Sequence, residues 1–260
     1  IVIENRPGAG GTLGPSTMAQ TAKPDGYTIA QFPLGLLRMP HMQKTSWDPL
    51  NDFTYIIGVS GYTFGLTVKA DSPYKTFKDY VEAARKQPGT INYGSTGTGS
   101  SPHLLMEELA GNAKVKLVHV PFKGNADLQA ALLGGHVMAQ SDASGWDKYV
   151  DGGQMRLLVT FGEQRTQRWP EVPTLRESGF KDLVGVGWFA LFAPGGTDSA
   201  QIAALNAAVN RALKNPALKD RFTKMGLEIG GGSPQDLQSM ISTETARWAP
   251  VVKASGFTAD

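Results

Sequence analysis

Residues 90–103 have the sequence TINYGSTGTGSSPH. The first three residues favour a short strand, and the apolar residues that follow the stretch favour a helix. Pro102 suits the first helical position, where a missing N–H costs little, and this predicts Ser101 as the N-cap. The intervening Gly, Ser and Thr residues form either a tight capped turn or an anion site, because backbone N–H groups and hydroxyls would meet the positive end of the helix dipole.

Strand-like and helix-like segments alternate along the rest of the chain, which predicts an α/β fold. Residues 1–4 (IVIE) are predicted to form an apolar strand. With the helix that follows and a strand at residues 27–32, they would make a β-α-β unit in a parallel sheet. Residues 76–79 (TFKD) resemble a capping box with Asp in place of the usual Glu or Gln, which predicts a helix as far as Gln87.

Three polar junctions, residues 94–101, 122–126 and 141–145, each follow a predicted strand in the middle third of the chain. In open parallel sheets, ligands bind beyond the carboxyl ends of the strands. We therefore expect these junctions to line one cleft.

The composition excludes several classes of protein. The 260 residues suffice for one large domain or two smaller ones, and the net charge of +2 leaves no electrostatic footprint for nucleic acid. No apolar run approaches the length of a membrane span. The chain has no cysteine, which excludes disulfides and thiol chemistry and is compatible with an oxidising compartment.

Enzyme motifs are weak in this sequence. Residues 8–14 (GAGGTLG) suggest a dinucleotide-binding loop, but Leu13 stands where the third glycine of GxGxxG belongs. Neither a phosphate-binding GxxxxGK[ST] loop nor a GxSxG nucleophile elbow is present. A nucleotide-dependent enzyme of the Rossmann type therefore remains an alternative, and a serine hydrolase of the elbow type is disfavoured.

Isolated polar and aromatic residues leave further alternatives open. His103 and Glu107 have the spacing of a metal-ligand pair, but a second pair is lacking, so a bond from His103 to the loop or to a ligand is favoured. Asp142 follows a predicted strand and would contact a ligand or the loop rather than act as a general base. His119 and His136 are predicted to lie in strands with structural roles. Trp188 fits either the core or a cleft.

Several stretches together resemble a known family, the Bug-type extracytoplasmic solute receptors of tripartite tricarboxylate transporters. They cover nearly the whole chain in the family's order, although each alone is weakly specific. The stretches are residues 2–12 (VIENRPGAGGT), 24–28 (PDGYT), 93–95 (YGS), 97–100 (GTGS) with His103 and Leu104, 120–124 (VPFKG), 188–197 (WFALFAPGGT) and Trp248.

The resemblance implies a type II periplasmic-binding-protein fold, or Venus flytrap, with two doubly wound domains joined by two crossing strands. Domain 1 would comprise residues 1–70 and 190–260, and domain 2 residues 71–189, with the solute held in the cleft. It also implies a secretion signal and an earlier strand, glycine-rich loop and helix before residue 5, which this sequence does not contain. That loop would supply half of the carboxylate site in domain 1.

The function implied by the resemblance is capture of a small mono- or dicarboxylic acid in the periplasm by a monomer without catalysis, cofactor or metal. The partners would be the carboxylate and the membrane components of the transporter. A type II effector or sensor domain is a further alternative. Phe122 replaces a Tyr that is frequent in the family and so removes one hydroxyl. The site residues would be Ser95, Thr96, Gly97, Thr98, Gly99, Ser100, Ser101, His103, Phe122, Lys123, Gly124, Asn125, Ala126, Asp142, Ala143 and Ser144.

Overall fold

The computed structural model describes residues 1–6, 12–32, 34–143 and 145–255. The chain divides into two compact units: unit 1 consists of Ile1–Gly61 and Trp188–Asp260, and unit 2 of Tyr62–Gly187. The domain limits expected from the sequence stay a prediction. Among the described residues, no helix has the length and apolar character needed to cross a membrane.

Helices and strands alternate through most of the chain. In order they are α1 (Leu13–Thr21), β1 (Ala30–Phe32), α2 (Gly35–Met42), β2 (Phe53–Thr63), β3 (Gly65–Lys69), α3 (Phe77–Lys86), β4 (Asn92–Ser95), α4 (Ser101–Ala113), β5 (Val118–Pro121), α5 (Asn125–Leu133), β6 (Ala139–Asp142), α6 (Asp147–Asp151), β7 (Met155–Thr160), β8 (Val186–Pro194), α7 (Ser199–Leu213), α8 (Pro216–Lys224), β9 (Leu227–Gly231) and α9 (Pro234–Ser255).

Unit 2 is built on a mixed sheet of five strands in the order β5-β4-β6-β3-β7. Strand β4 runs parallel to β5 and β6, whereas β3 runs antiparallel to β6 and β7. The central strand β6 is buried along its whole length, as expected for a strand covered on both faces. Because β4, β5 and β6 are parallel, the loops that follow them emerge at one edge of the sheet.

Local sequence signals explain the helices around this sheet. The capping box predicted at the start of α3 is confirmed, since Asp79 N–H donates to Thr76 Oγ1 at 3.2 Å and Thr76 N–H donates to Asp79 Oδ2 at 2.8 Å. On the sheet itself, Gly94 permits close packing, because a Cβ there would collide with Leu128 of α5 and lie 2.9 Å from the Phe122 ring. The Phe122 side chain is thus held against β4.

Unit 1 contains a second sheet of four strands in the order β1-β8-β2-β9. Its core is aromatic: the Phe32 ring lies 4.9 Å from Phe192 and stacks at 5.6 Å on Trp188. Trp188 is buried in this cluster, and within the described part of the chain its indole N–H has no hydrogen-bond partner. The two sheets with flanking helices confirm the predicted α/β class.

Two expectations for individual strands are wrong. Residues 1–4 have no regular structure and are exposed, because no described strand pairs with them, and a strand needs a neighbour for its backbone groups. The described residues therefore contain no parallel β-α-β unit at this point, and β1 instead pairs antiparallel with β8. His136 lies in an exposed turn before β6, since Gly135 adopts a left-handed conformation after α5.

Candidate functional site

The three polar junctions predicted from the sequence lie at one edge of the unit 2 sheet. Ser95 pairs in register with Pro121, and Gly94 pairs with Gln140, so β4, β5 and β6 end close together. Ser95 and Asp142 are the last residues of β4 and β6, and the other predicted site residues belong to the segments that follow the three strands. Ser144 lies outside the described residues.

The first loop, residues 96–100, connects β4 to α4, and two serine hydroxyls bond to its backbone. Ser95 is fully buried, and its Oγ donates to the Gly97 carbonyl at 3.1 Å. Ser100 Oγ donates to the same carbonyl at 2.7 Å and accepts a hydrogen bond from His103 N–H at 3.4 Å. Ser100 is therefore the N-cap of α4, and the prediction of Ser101 is wrong by one residue. Ser101 is buried as the first helical residue, and Pro102 follows it.

The residues between Ser95 and Ser100 are more exposed to solvent than Ser95 is. Thr98 is exposed, and Thr96, Gly97 and Gly99 are half-buried. Gly97 and Gly99 have φ values of 122° and 74°, a region that other residues rarely adopt. The two glycines therefore allow the chain to fold back between β4 and α4 while exposing its backbone.

Two histidines pack beneath the loop. Gly99 N–H donates to His103 Nδ1 at 3.0 Å, and the His103 and His119 rings stack with their centres 3.9 Å apart. His119 Nε2 lies 2.7 Å from Ser95 Oγ. Burial lowers the pKa of both rings from the usual value, that of His119 to about 4, so both are neutral at pH 7. Among the described residues, no three metal-binding side chains cluster, so a metal at His103 and Glu107 finds no support.

The N-terminus of α5 lacks the side-chain cap that Ser100 gives to α4. Gly124 is its N-cap, and no side chain accepts a hydrogen bond there. Phe122 N–H donates to Ser95 O at 2.9 Å, which ties this junction to the first loop. Lys123 and Ala126 are exposed, and Asn125 is half-buried.

The loop after β6 contacts the same helix. A Cβ at Gly145 would collide with Gln129 Nε2 and lie 3.6 Å from Asn125 Nδ2. Asp142 is buried, and its Oδ1 accepts a hydrogen bond from Ala143 N–H at 2.8 Å. Its Oδ2 has no partner among the described residues, and burial raises the pKa of this carboxyl to about 7. A group with that pKa can hold a proton at neutral pH and donate a hydrogen bond.

Sequence reasoning quoted Tyr93 in the family resemblance but assigned no site role to Tyr93, His119 or Gln129. Tyr93 donates to Glu107 Oε1 at 3.0 Å, and its ring centre lies 5.2 Å from that of His119. The alternation of side chains along a strand could have indicated this grouping. Residues 93, 95 and 119 lie on one face of the sheet once β4 and β5 are aligned. That alignment requires the register, which the sequence alone did not supply.

Comparison with known proteins supports one family throughout. The model of the tripartite tricarboxylate transporter family receptor, TctC, matches residues 1–257. A relative from Cupriavidus necator, "UPF0065 protein in gbd 5'region", is 45% identical over 228 residues, which cover 88% of this chain and 69% of the relative.

Three solved structures share the fold over most of their length. "R. palustris Rpa4515 with adipate" is 30% identical with a TM-score of 0.90, covering 99% of this chain and 87% of that one. The periplasmic binding protein BugD is 27% identical with a TM-score of 0.88 (100% and 88%). MatC from Rhodopseudomonas palustris, with bound malate, is 29% identical with a TM-score of 0.83 (94% and 85%). The chain therefore has the fold of the periplasmic binding proteins and belongs to the tripartite tricarboxylate transporter receptor family.

Proposed function

We propose that this protein is a periplasmic receptor that captures a small mono- or dicarboxylic acid without catalysis and delivers it to the membrane components of a tripartite tricarboxylate transporter. The observation that carries the proposal is that the N-termini of two helices, α4 and α5, lie beside one sheet edge. Amide groups and the helix dipole at such ends favour a carboxylate. The family and the neighbours solved with adipate and malate support the same substrate class.

The roles proposed for the site residues follow from their exposure. Residues 96–99 present backbone amides and threonine hydroxyls, and residues 123–126 present the first turn of α5. The side chains of Ser95, Ser100 and His103 hold the first loop in place. The neutral form of Asp142 would donate a hydrogen bond near α5, and Phe122 would supply an apolar wall.

Calorimetry with a panel of mono-, di- and tricarboxylates, including adipate and malate, tests the proposal. Thr98→Asp would place a negative charge on the exposed loop, and we expect at least ~10-fold weaker binding through repulsion and lost donors. Thr223→Asp, an equivalent change on exposed α8 in unit 1, is the matched control and should leave the affinity unchanged. Equal affinity in both variants would contradict the site.

The alternative of a nucleotide-dependent enzyme is tested with the same preparation. Fluorescence titration with NADH should give no saturable signal if the protein is a carboxylate receptor. Native mass spectrometry of freshly purified protein should detect a bound acid. Saturable NADH binding without binding of any acid would replace the proposal by the enzyme alternative.

A further inference from the structure

The imidazole of His103 is fixed in one protonation state by the loop above it. Gly99 N–H donates to Nδ1 at 3.0 Å, so that nitrogen acts as an acceptor and carries no proton. The neutral ring then carries its proton on Nε2, which lies 3.8 Å from Glu107 Oε1. Any added proton must go to Nδ1, where it would face the Gly99 N–H.

The second imidazole connects the same stack to the other end of the loop. His119 lies parallel to His103 within 25°, and its Nε2 is 2.7 Å from Ser95 Oγ. Ser95 in turn bonds to the Gly97 carbonyl. The loop at residues 96–100 is thus held at Gly97 through Ser95 and at Gly99 through His103.

Burial favours the neutral form of His103, and the nearby Glu107 carboxylate opposes this effect. Glu107 on α4 is the carboxylate that would attract an imidazolium, and Tyr93 on β4 takes up one of its oxygens. A protonated His103 would in turn disfavour protonation of His119 on β5, because the ring centres lie 3.9 Å apart. His103 also lies in the first turn of α4, where the dipole disfavours a cation, and the loop residues 96–101 carry no charge.

We propose that His103 and His119 are positioning residues for this loop, and that protonation of His103 releases Gly99 and weakens carboxylate capture in acid. The inference rests on the proposed function. The physical reason is that protonation replaces the acceptor of the Gly99 N–H with a donor, so that two N–H groups face each other. Neither ring has to touch the carboxylate, because both act through the backbone of the loop.

Affinity measured against pH in matched variants tests the proposal. We would titrate adipate into the full chain by calorimetry between about pH 8 and about pH 4, well below the ordinary imidazole value, because burial lowers the pKa of His103. In His103→Asn, the amide oxygen replaces Nδ1 as acceptor but does not titrate. In His103→Leu, the acceptor is lost. His136→Asn removes an exposed histidine of the same unit and is the control.

The expected pattern separates positioning from a general structural role. At about pH 8, His103→Asn should bind within ~3-fold of the unchanged protein, and His103→Leu should bind ~10-fold more weakly, the scale of one hydrogen bond. On acidification, the unchanged protein and His136→Asn should lose ~10-fold more affinity than His103→Asn. Adipate itself titrates in this range, so the variants are compared at each pH.

A ligand-free measurement keeps this inference separate from the proposed function. In ¹⁵N-labelled protein, the Gly99 amide resonance should move with the midpoint of the His103 ring titration and stay fixed in His103→Asn. A Gly99 amide that ignores the titration, or an affinity profile of His103→Asn identical to that of the unchanged protein, would overturn the inference. Binding of no acid at any pH would instead contradict the proposed function, and the Gly99 resonance would still decide the role of His103.

Discussion

The first turns of α4 and α5 lie at the same sheet edge in unit 2 but satisfy their amide groups differently. At α4, Ser100 Oγ accepts from His103 N–H, and His103 Nδ1 accepts from Gly99 N–H. At α5, Gly124 provides no side-chain oxygen. The first N–H groups of a helix need partners from side chains, water or a ligand.

This difference teaches that a loop rich in hydroxyl side chains can use them to bond its own backbone. Ser95 and Ser100 use their hydroxyls to hold the Gly97 carbonyl. Gly124 has no side-chain oxygen, so the N-terminus of α5 has no side-chain cap. We interpret the loop at residues 96–100 as a rigid support and the first turn of α5 as the more accessible set of amide donors.

The largest effect is expected at Asp142, in the loop that contacts α5. Its pKa is raised from 3.8 to about 7, so the folded protein binds this proton more tightly than the unfolded chain does. Stability from this group is therefore greatest below about pH 4 and falls as the pH rises to about 7. The stability of Asp142→Asn relative to the unchanged protein should rise by about 2–4 kcal/mol between about pH 4 and pH 8.

Urea unfolding across this pH range measures the change. Asp182→Asn, on an exposed carboxylate of the same unit, is the control and should show a flat difference. A flat difference for Asp142→Asn as well would show that the Asp142 carboxyl is solvated in solution.

A smaller effect is expected from Ser100→Ala, which removes the cap of α4 and one bond to the Gly97 carbonyl. We expect a loss of about 1–2 kcal/mol in the free energy of unfolding, because the His103 N–H loses its acceptor and the Gly97 carbonyl loses one of its two serine donors. Ser242→Ala, at an exposed position of α9, should be neutral or slightly stabilising. Equal stability of the two variants would remove the contrast between α4 and α5.

The smallest change in stability is expected from Gly124→Ser, which gives α5 the cap that α4 already has. Gly124 is extended, with φ −179°, and a Cβ there meets nothing within 4 Å, so serine fits without strain. We expect a gain of a few tenths of a kcal/mol in unfolding free energy and a loss of roughly 3-fold in carboxylate affinity, since the hydroxyl competes for the same amides. Gly111→Ser, at an exposed position of α4, serves as the control. If calorimetry shows that Gly124→Ser binds the carboxylate with unchanged affinity, the first amides of α5 do not take part in binding.

The sequence by itself determined the features that depend on near neighbours. The α/β alternation, the Thr76 capping box and the three junctions after β4, β5 and β6 follow from residue periodicity and from contacts a few positions apart. The family resemblance rested on the same short motifs and is confirmed by the match over residues 1–257.

Tertiary structure alone decided which of these polar groups remain available. Ser95 and His119 are 24 residues apart, so their contact exists only after β4 and β5 pair. Asp142 Oδ2 has no partner in the described part of the chain, and residues 1–4 are exposed. Both likewise depend on which neighbours the fold places beside them. Local pattern fixes where a strand or helix can form, whereas burial and hydrogen bonding across the sheet fix what each side chain can still do.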